Sequence, residues 1–308
     1  MVTVAVKLAC LLLSAAPPSP SQWTIESQPG QDDIARQVAQ MLPRAQGELE
    51  SLLGIRFRGT GAVILCPSVA SFREATPGLD HRHTLGVAYP ARCTMYLNCE
   101  AIERSPYRSF AITLRHELSH VLVGEVERRG YRRLPLWFDE GVAVWSSGKV
   151  PLYNPEAFEL AVRARSLPRL ADLADAFPSN PVQRGVAYEQ SESFVRWLAA
   201  RHGEKAIRAV LRASVDGTPF ADAVRHATGY EVAALEEQWL ADITPRWPRA
   251  AWWAHVLLHP YSAFGLFGVM TLLALVSFWV YARRRRRKYR EWEAEESTRR
   301  ATGKTPWD

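Results

Sequence analysis

From Tyr261 to Tyr281 the chain carries no charged residue, and this stretch narrows the possible folds more than any other feature. A helix of that length is about 30 Å long, which matches the hydrocarbon core of a bilayer. Tyr261, Trp279 and Tyr281 sit near its ends and Trp252 and Trp253 lie upstream, where aromatic rings favour the membrane–water interface. Arg283 to Lys288 follows at once, and positive charge stays on the cytoplasmic side. The competing reading is a buried core helix with a solvated basic tail. The expected layout is a juxtamembrane segment over 248–260, a transmembrane helix over 261–281 and a basic cytoplasmic tail over 282–308.

The other end points the same way. Met1 to Ala16 contains one lysine, Lys7, then an apolar run from Leu8 to Leu13 and the small residues Ser14 and Ala16. That pattern predicts a signal peptide over 1–16, with an uncleaved anchor as the alternative. Residues 17–31 are polar and rich in Pro, Ser and Gln, and read as a linker. The body, 32–247, is then exported to the periplasmic or extracellular side, and the protein is a single-pass cell-membrane protein.

The formal charge of +6 invites a nucleic-acid reading, but its location removes it. Ala282 to Asp308 holds ten basic and five acidic residues, while the rest of the chain holds 28 and 27. No nucleic-acid partner is expected. An exported compartment permits disulfides. Cys93 and Cys99 are too far apart along one strand to bridge, whereas Cys66 and Cys99 each end a strand-like run, so parallel neighbours would bring them together. A Cys66–Cys99 disulfide is the expectation.

Asp32 or Asp33 caps a predicted helix reaching about Leu53, interrupted at Pro43 by a kink or a break into two short helices. Ile55 to Leu65 reads as strands around a Gly59–Gly61 turn, Pro67 to Ala75 as a short helix, and Thr84–Pro90 with Thr94–Asn98 as a strand pair. Ser109 to Val123 shows an apolar stripe at helical spacing, Gly124 to Arg133 a loop, and Pro135 opens a helix from Leu136 to Trp145. Beyond Leu152 the chain is alanine-rich and mainly helical.

The chemistry concentrates in two of these helices. Arg115-His116-Glu117-Leu118-Ser119-His120 contains the spacing H-E-x-x-H. Residues four apart share a helix face, so both imidazoles can reach one ion, and Glu117 is rotated towards a metal-bound water. Catalytic zinc takes three protein ligands and keeps a fourth position open. Leu136-Trp-Phe-Asp-Glu-Gly-Val-Ala143 offers the third, from Glu140 or Asp139; about 100° separates them around the helix, so only one faces the metal. Gly141 and Ala143 are expected to let this helix approach the first closely.

This motif pair, with Pro135-x-Trp137-x-x-Glu140-Gly141-x-Ala143, resembles the gluzincin metallopeptidases, most of all the peptidase MA-like family. The resemblance runs from about Ile55 to Ile243 and includes Ala187-Tyr-Glu-Gln-Ser-Glu-Ser-Phe-Val-Arg-Trp-Leu and Leu235-Glu-Glu-Gln-Trp. It implies an α+β, thermolysin-like zincin domain: a small N-terminal sheet, an active-site helix and a helical C-terminal lobe, here with one C-terminal transmembrane helix. It implies one Zn2+ ion on His116, His120 and Glu140, Glu117 as general base, and a peptide or protein substrate. Tyr188 resembles the tyrosine that donates to the tetrahedral oxyanion. Gly86, Val87, Ala88 and Tyr89 correspond to the edge strand that pairs with substrate backbone.

Two departures matter. Related aminopeptidases carry a glutamate where this chain has Tyr89, so endopeptidase action is the expectation. Thermolysin has an aspartate where this chain has Val144, so the histidines must be oriented from elsewhere, with Asp139 the candidate. Two rival readings remain: an inactive zinc-binding domain that recognises peptides or envelope partners, and a structural membrane protein with a chance motif.

Overall fold

The sheet is assembled around residues that alternate between core and solvent. In the computed structural model, which describes residues 2–5, 22–78, 84–105, 109–129, 133–148, 155–244, 267–268 and 270–287, five strands lie in the order β1-β2-β3-β5-β4. They are β1 (Val2–Ala5), β2 (Gln22–Ser27), β3 (Thr60–Cys66), β4 (Gly86–Tyr89) and β5 (Thr94–Asn98). The pairs β2–β3 and β3–β5 are parallel, and β1–β2 and β4–β5 antiparallel. Val63 and Leu65 of β3 and Met95 and Leu97 of β5 are fully or almost fully buried. A period of two places them on one inner face.

Parallel neighbours need crossovers, and helices supply them. Helix α1 (Asp32–Leu53) links β2 to β3; α2 (Val69–Ala75) precedes β4; α3 (Cys99–Arg104) leaves β5. Then come α4 (Phe110–Val123), α5 (Glu125–Arg128), α6 (Leu136–Ser147), α7 (Pro155–Ala164), α8 (Pro181–His202), α9 (Glu204–Val215), α10 (Phe220–Thr228) and α11 (Val232–Ile243). The result is the mixed, mainly helical α+β architecture expected. The aromatic cluster Trp137, Phe194, Phe220 and Trp239 joins α6, α8, α10 and α11, with ring centroids 5.2–5.7 Å apart.

Several local expectations are corrected. The 17–31 linker contains β2: Ile25 and Ser27 are buried, and Trp23 stacks on Phe57 and donates to Gln46 Oε1 at 2.9 Å. Polar residues on the outward positions disguise the alternation. Pro43 does not divide α1, because the helix is packed on both sides of it, through Ala35, Val38 and Leu42 before and Ala45, Leu49 and Leu53 after. Asp32 and Asp33 occupy the first turn of α1, and Gln31 is the N-cap residue without a side-chain bond. Within the stretch expected as strands from Ile55 to Leu65, β3 starts at Thr60, and α5 interrupts the loop expected over Gly124–Arg133.

The cysteine pairing is also corrected. β3 and β5 are parallel neighbours as expected, but Cys66 aligns with Asn98 and Cys99 is already the first residue of α3. Cys66 and Cys99 are free, buried thiols, and burial raises their pKa values to about 11 and about 12.

The chain divides into one unit through Thr244 and a second from Pro245. In the second, residues 267–268 and 270–287 are helical, and Phe267, Met270, Leu272, Phe278 and Trp279 are exposed. Among the described residues no helix is long and apolar enough to cross a membrane. Residues 261–266 and 269 of the expected span lie outside the described residues, as do most of the expected signal peptide, the whole 248–260 segment and 288–308 of the tail. Val2–Ala5 of the expected signal form β1, so cleavage after Ala16 would leave β2 as the sheet edge.

Candidate metal centre

Ser109 starts the helix that carries the H-E-x-x-H spacing: its side chain accepts from Ile112 N at the N-cap of α4. The helix is almost entirely buried from Leu114 onward, which leaves its polar residues needing partners. Three ties fix its orientation. Arg115 pairs with Glu48 of α1 and donates to Ser146 O of α6 at 3.0 Å. Ser146 Oγ meets Ser119 Oγ at 3.2 Å, with both residues buried. Arg128 donates to Pro90 O and Val121 O at 2.8 and 2.9 Å, which secures the end of β4 against α4.

Within that frame His116, His120 and Glu140 converge, with one ligand-type atom from each lying within 4.8 Å of the others. The two Nε2 atoms are 3.3 Å apart, and Glu140 Oε2 stands 3.6 Å from each. Four ligands at about 2.0–2.1 Å around a tetrahedral ion are separated by roughly 3.3–3.4 Å, so the spacing suits one small cation. Glu140 Oε2 is also buried and accepts no hydrogen bond. An orphaned buried carboxylate oxygen is costly unless a cation answers it.

The two acidic residues of α6 divide their work. Glu140 faces the histidine pair, and Asp139 Oδ2 stands 3.1 Å from His120 Nδ1, on the far side of the ring from the convergence point. That contact fixes the tautomer with Nδ1 as donor and leaves Nε2 free to ligate. Burial disfavours a charged His120, but the adjacent Asp139 and Glu140 outweigh it and push its pKa well above the ordinary value. Burial likewise opposes ionisation of Glu140, and the two imidazoles outweigh that and hold its carboxyl below the usual range. Without metal, a proton on His120 supplies the positive charge that the pocket favours.

Glu117 is buried and its side chain lies against β4: a Cβ at Gly86 would come within 2.9 Å of its Cγ and Oε1. β4 is the sheet edge. Asn98 N donates to Leu85 O at 2.8 Å, so in antiparallel register Val87 and Tyr89 continue the bonded positions towards β5. Gly86 and Ala88 therefore turn their N–H and C=O groups to the open edge. The side-chain faces separate too. Gly86 and Ala88 share the inner face with Leu97 and Met95, while Tyr89 packs edge-on against Tyr96 on the other.

The expected reason for Gly141 is corrected. A Cβ there would lie 2.5 Å from Ser191 O and 2.7 Å from Val195 Cγ2, so its missing side chain admits α8 rather than α4. Ser119 and Ser146 meet at the α4–α6 contact instead. Tyr188 is half-buried on α8, with its ring edge-on to Phe177 at 4.9 Å. Sequence reasoning missed Arg115, Arg128 and the serine pair, whose partners are distant in sequence. His202 is half-buried on α8 with its Nε2 unpartnered.

A histidine pair one helical turn apart, completed by a carboxylate from the neighbouring helix, defines the metal-site class of the metallohydrolases. The chain belongs to the peptidase MA superfamily, whose sequence profile matches residues 77–245, more than half its length. The matched stretch contains both site helices and β4, and starts later than the Ile55 expected. No curated protein matches the chain. Membership places the protein among the peptidases, and its substrates among peptides and proteins.

Proposed function

We propose that the protein is a zinc-dependent endopeptidase of gluzincin type. The observation that carries this reading is the convergence of His116, His120 and Glu140 beside Glu117 at the open edge of β4. The three converging side chains would hold Zn2+, which supplies Lewis acidity and a water acidified towards neutrality. Glu117 accepts the proton from the attacking water and passes it to the departing amine nitrogen. Gly86 and Ala88 receive the substrate backbone as an added strand, a recognition that does not depend on sequence. Tyr188 is assigned as donor to the oxyanion. No carboxylate stands on β4 to hold a free amino terminus, which favours cleavage within a chain.

The same reading places the catalytic unit outside the cytoplasm, behind a signal segment over 1–16, with a single span over 261–281 and a cytoplasmic tail. The charge-free stretch, its aromatic flanks and the following arginines support that topology. The test of the catalytic reading is Glu117→Gln. The variant should bind one zinc per chain and lose peptide turnover by two or more orders of magnitude. Turnover at the wild-type rate would refute the assignment, and absence of stoichiometric zinc in the wild type would remove the metal centre.

A further inference from the structure

Glu117 is buried against the edge strand β4, and the residue it meets there, Gly86, has no side chain. A Cβ built on Gly86 would lie 2.9 Å from Glu117 Cγ, 2.9 Å from Oε1 and 3.1 Å from Cδ. Carbon–carbon contacts that short do not persist in folded proteins, so one group would have to move. Gly86 is held on one side by β5, opposite Leu97, and its neighbour Leu85 accepts from Asn98 N at 2.8 Å. Further along, Arg128 holds Pro90 O, and a Cβ on Gly124 would lie 2.2 Å from Pro90 Cβ, so that end of the strand abuts α4. A strand anchored at both ends does not yield easily. The carboxylate does, by rotation about its own side-chain bonds.

We infer that Gly86 is a positioning residue for the reaction: its bare backbone forms the wall against which the Glu117 carboxylate is set. This rests on the peptidase reading above and deepens it. The strand that receives substrate and the base that serves the water are then one mechanical unit. The residue that presents its N–H and C=O to the added peptide strand also fixes the angle of the carboxylate. Gly86 has no left-handed backbone requirement, since its φ is not among the positive values found at other glycines. Its lack of a side chain is therefore explained by the approach of Glu117 alone.

The test compares Gly86→Ala with Gly47→Ala, a glycine-to-alanine change at an exposed position of α1 outside the site, and with Glu117→Gln, in the full-length chain. Activity is followed on a mixed library of internally quenched peptides. A misplacement near 1 Å costs on the order of 100-fold in rate. Gly86→Ala should therefore lower kcat about 100-fold with little change in KM, retain one zinc per chain, and melt within about 2 °C of the wild type. Adding Gly86→Ala to Glu117→Gln should bring no further loss. A readout free of turnover is the visible absorption of the Co2+-loaded protein, which senses the groups around the ion's open position. Gly86→Ala should reproduce the spectral change caused by Glu117→Gln, and Gly47→Ala should leave the wild-type spectrum. The inference is overturned if Gly86→Ala keeps wild-type kcat and spectrum, or if its losses add to those of Glu117→Gln. If the wild type itself neither binds metal nor cleaves any peptide, the peptidase reading fails instead.

Discussion

Substituting Gly141 by alanine puts the α6–α8 contact to a quantitative test. In an exposed helix the change is favourable by about 1 kcal/mol, because alanine loses less backbone entropy than glycine. At Gly141 the new methyl would sit 2.5 Å from Ser191 O and 2.9 Å from its carbonyl carbon. Ordinary contact begins near 3.4 Å, so a gap of about 0.9 Å must open against main chain. Overpacking of this kind costs about 1–3 kcal/mol, and a backbone obstacle puts the cost at or above the upper end. The net expectation is a loss of about 2 kcal/mol, or a fall in Tm of roughly 4–8 °C for a unit of this size. Gly47 is the internal control. It is an exposed residue in α1 with nothing within 4 Å of the place a methyl group would take, so Gly47→Ala should raise Tm by roughly 2–3 °C. Differential scanning fluorimetry of the full-length protein in mild detergent reads both. If Gly141→Ala raises Tm as Gly47→Ala does, the reasoning about helix approach is wrong.

The remaining expectations concern the metal centre. Asp139→Asn keeps an oxygen near His120 but removes the charge, and should weaken zinc binding about 10–100-fold in a chelator competition while Gly47→Ala leaves it unchanged. The pH dependence of the metal-free protein follows from two opposite shifts. His120 titrates above its unfolded value of about 6.5, so its stabilising contribution is complete below that pH and fades as pH rises through the elevated folded value. Glu140 titrates below its ordinary value, so its contribution is present above about pH 4.5 and fades as pH falls through the depressed one. After chelator treatment, Tm should therefore be highest between roughly pH 4.5 and 6.5 and decline above pH 7. Loading with zinc should flatten the alkaline decline, because a ligating imidazole has no such proton to lose; an unchanged profile would contradict this account.

Periodicity and spacing make the two site helices legible without any coordinates. His116 and His120 sit one turn apart in any α-helix, and the assignment of Asp139 and Glu140 to different directions needs only 100° per residue. What the sequence withholds are relations between distant residues. Gly141 is visibly small, yet nothing local says whether α4 or α8 takes up the space. Arg115 reads as an ordinary charged residue until Glu48 and Ser146 are brought beside it. β2 is hidden because Glu26 and Ser27 lower the apparent hydrophobicity of a strand in which Ile25 and Ser27 are buried. Parallel pairing of the strands that precede Cys66 and Cys99 follows from pattern, but a one-residue offset of register and the start of α3 at Cys99 do not.

The sheet order has a practical corollary for anyone trimming this gene product. The stretch that matches the superfamily opens at residue 77, after β3, yet β5 takes its parallel partner from β3 and Arg115 takes its counter-ion from α1. A fragment cut at that border would keep a two-stranded ribbon with both flanks bare. Isolated ribbons are marginal in water, and exposed flanks recruit other chains. Soluble expression of the fragment would founder on self-association, whereas a cut ahead of Gln22 keeps the interior strands sheathed.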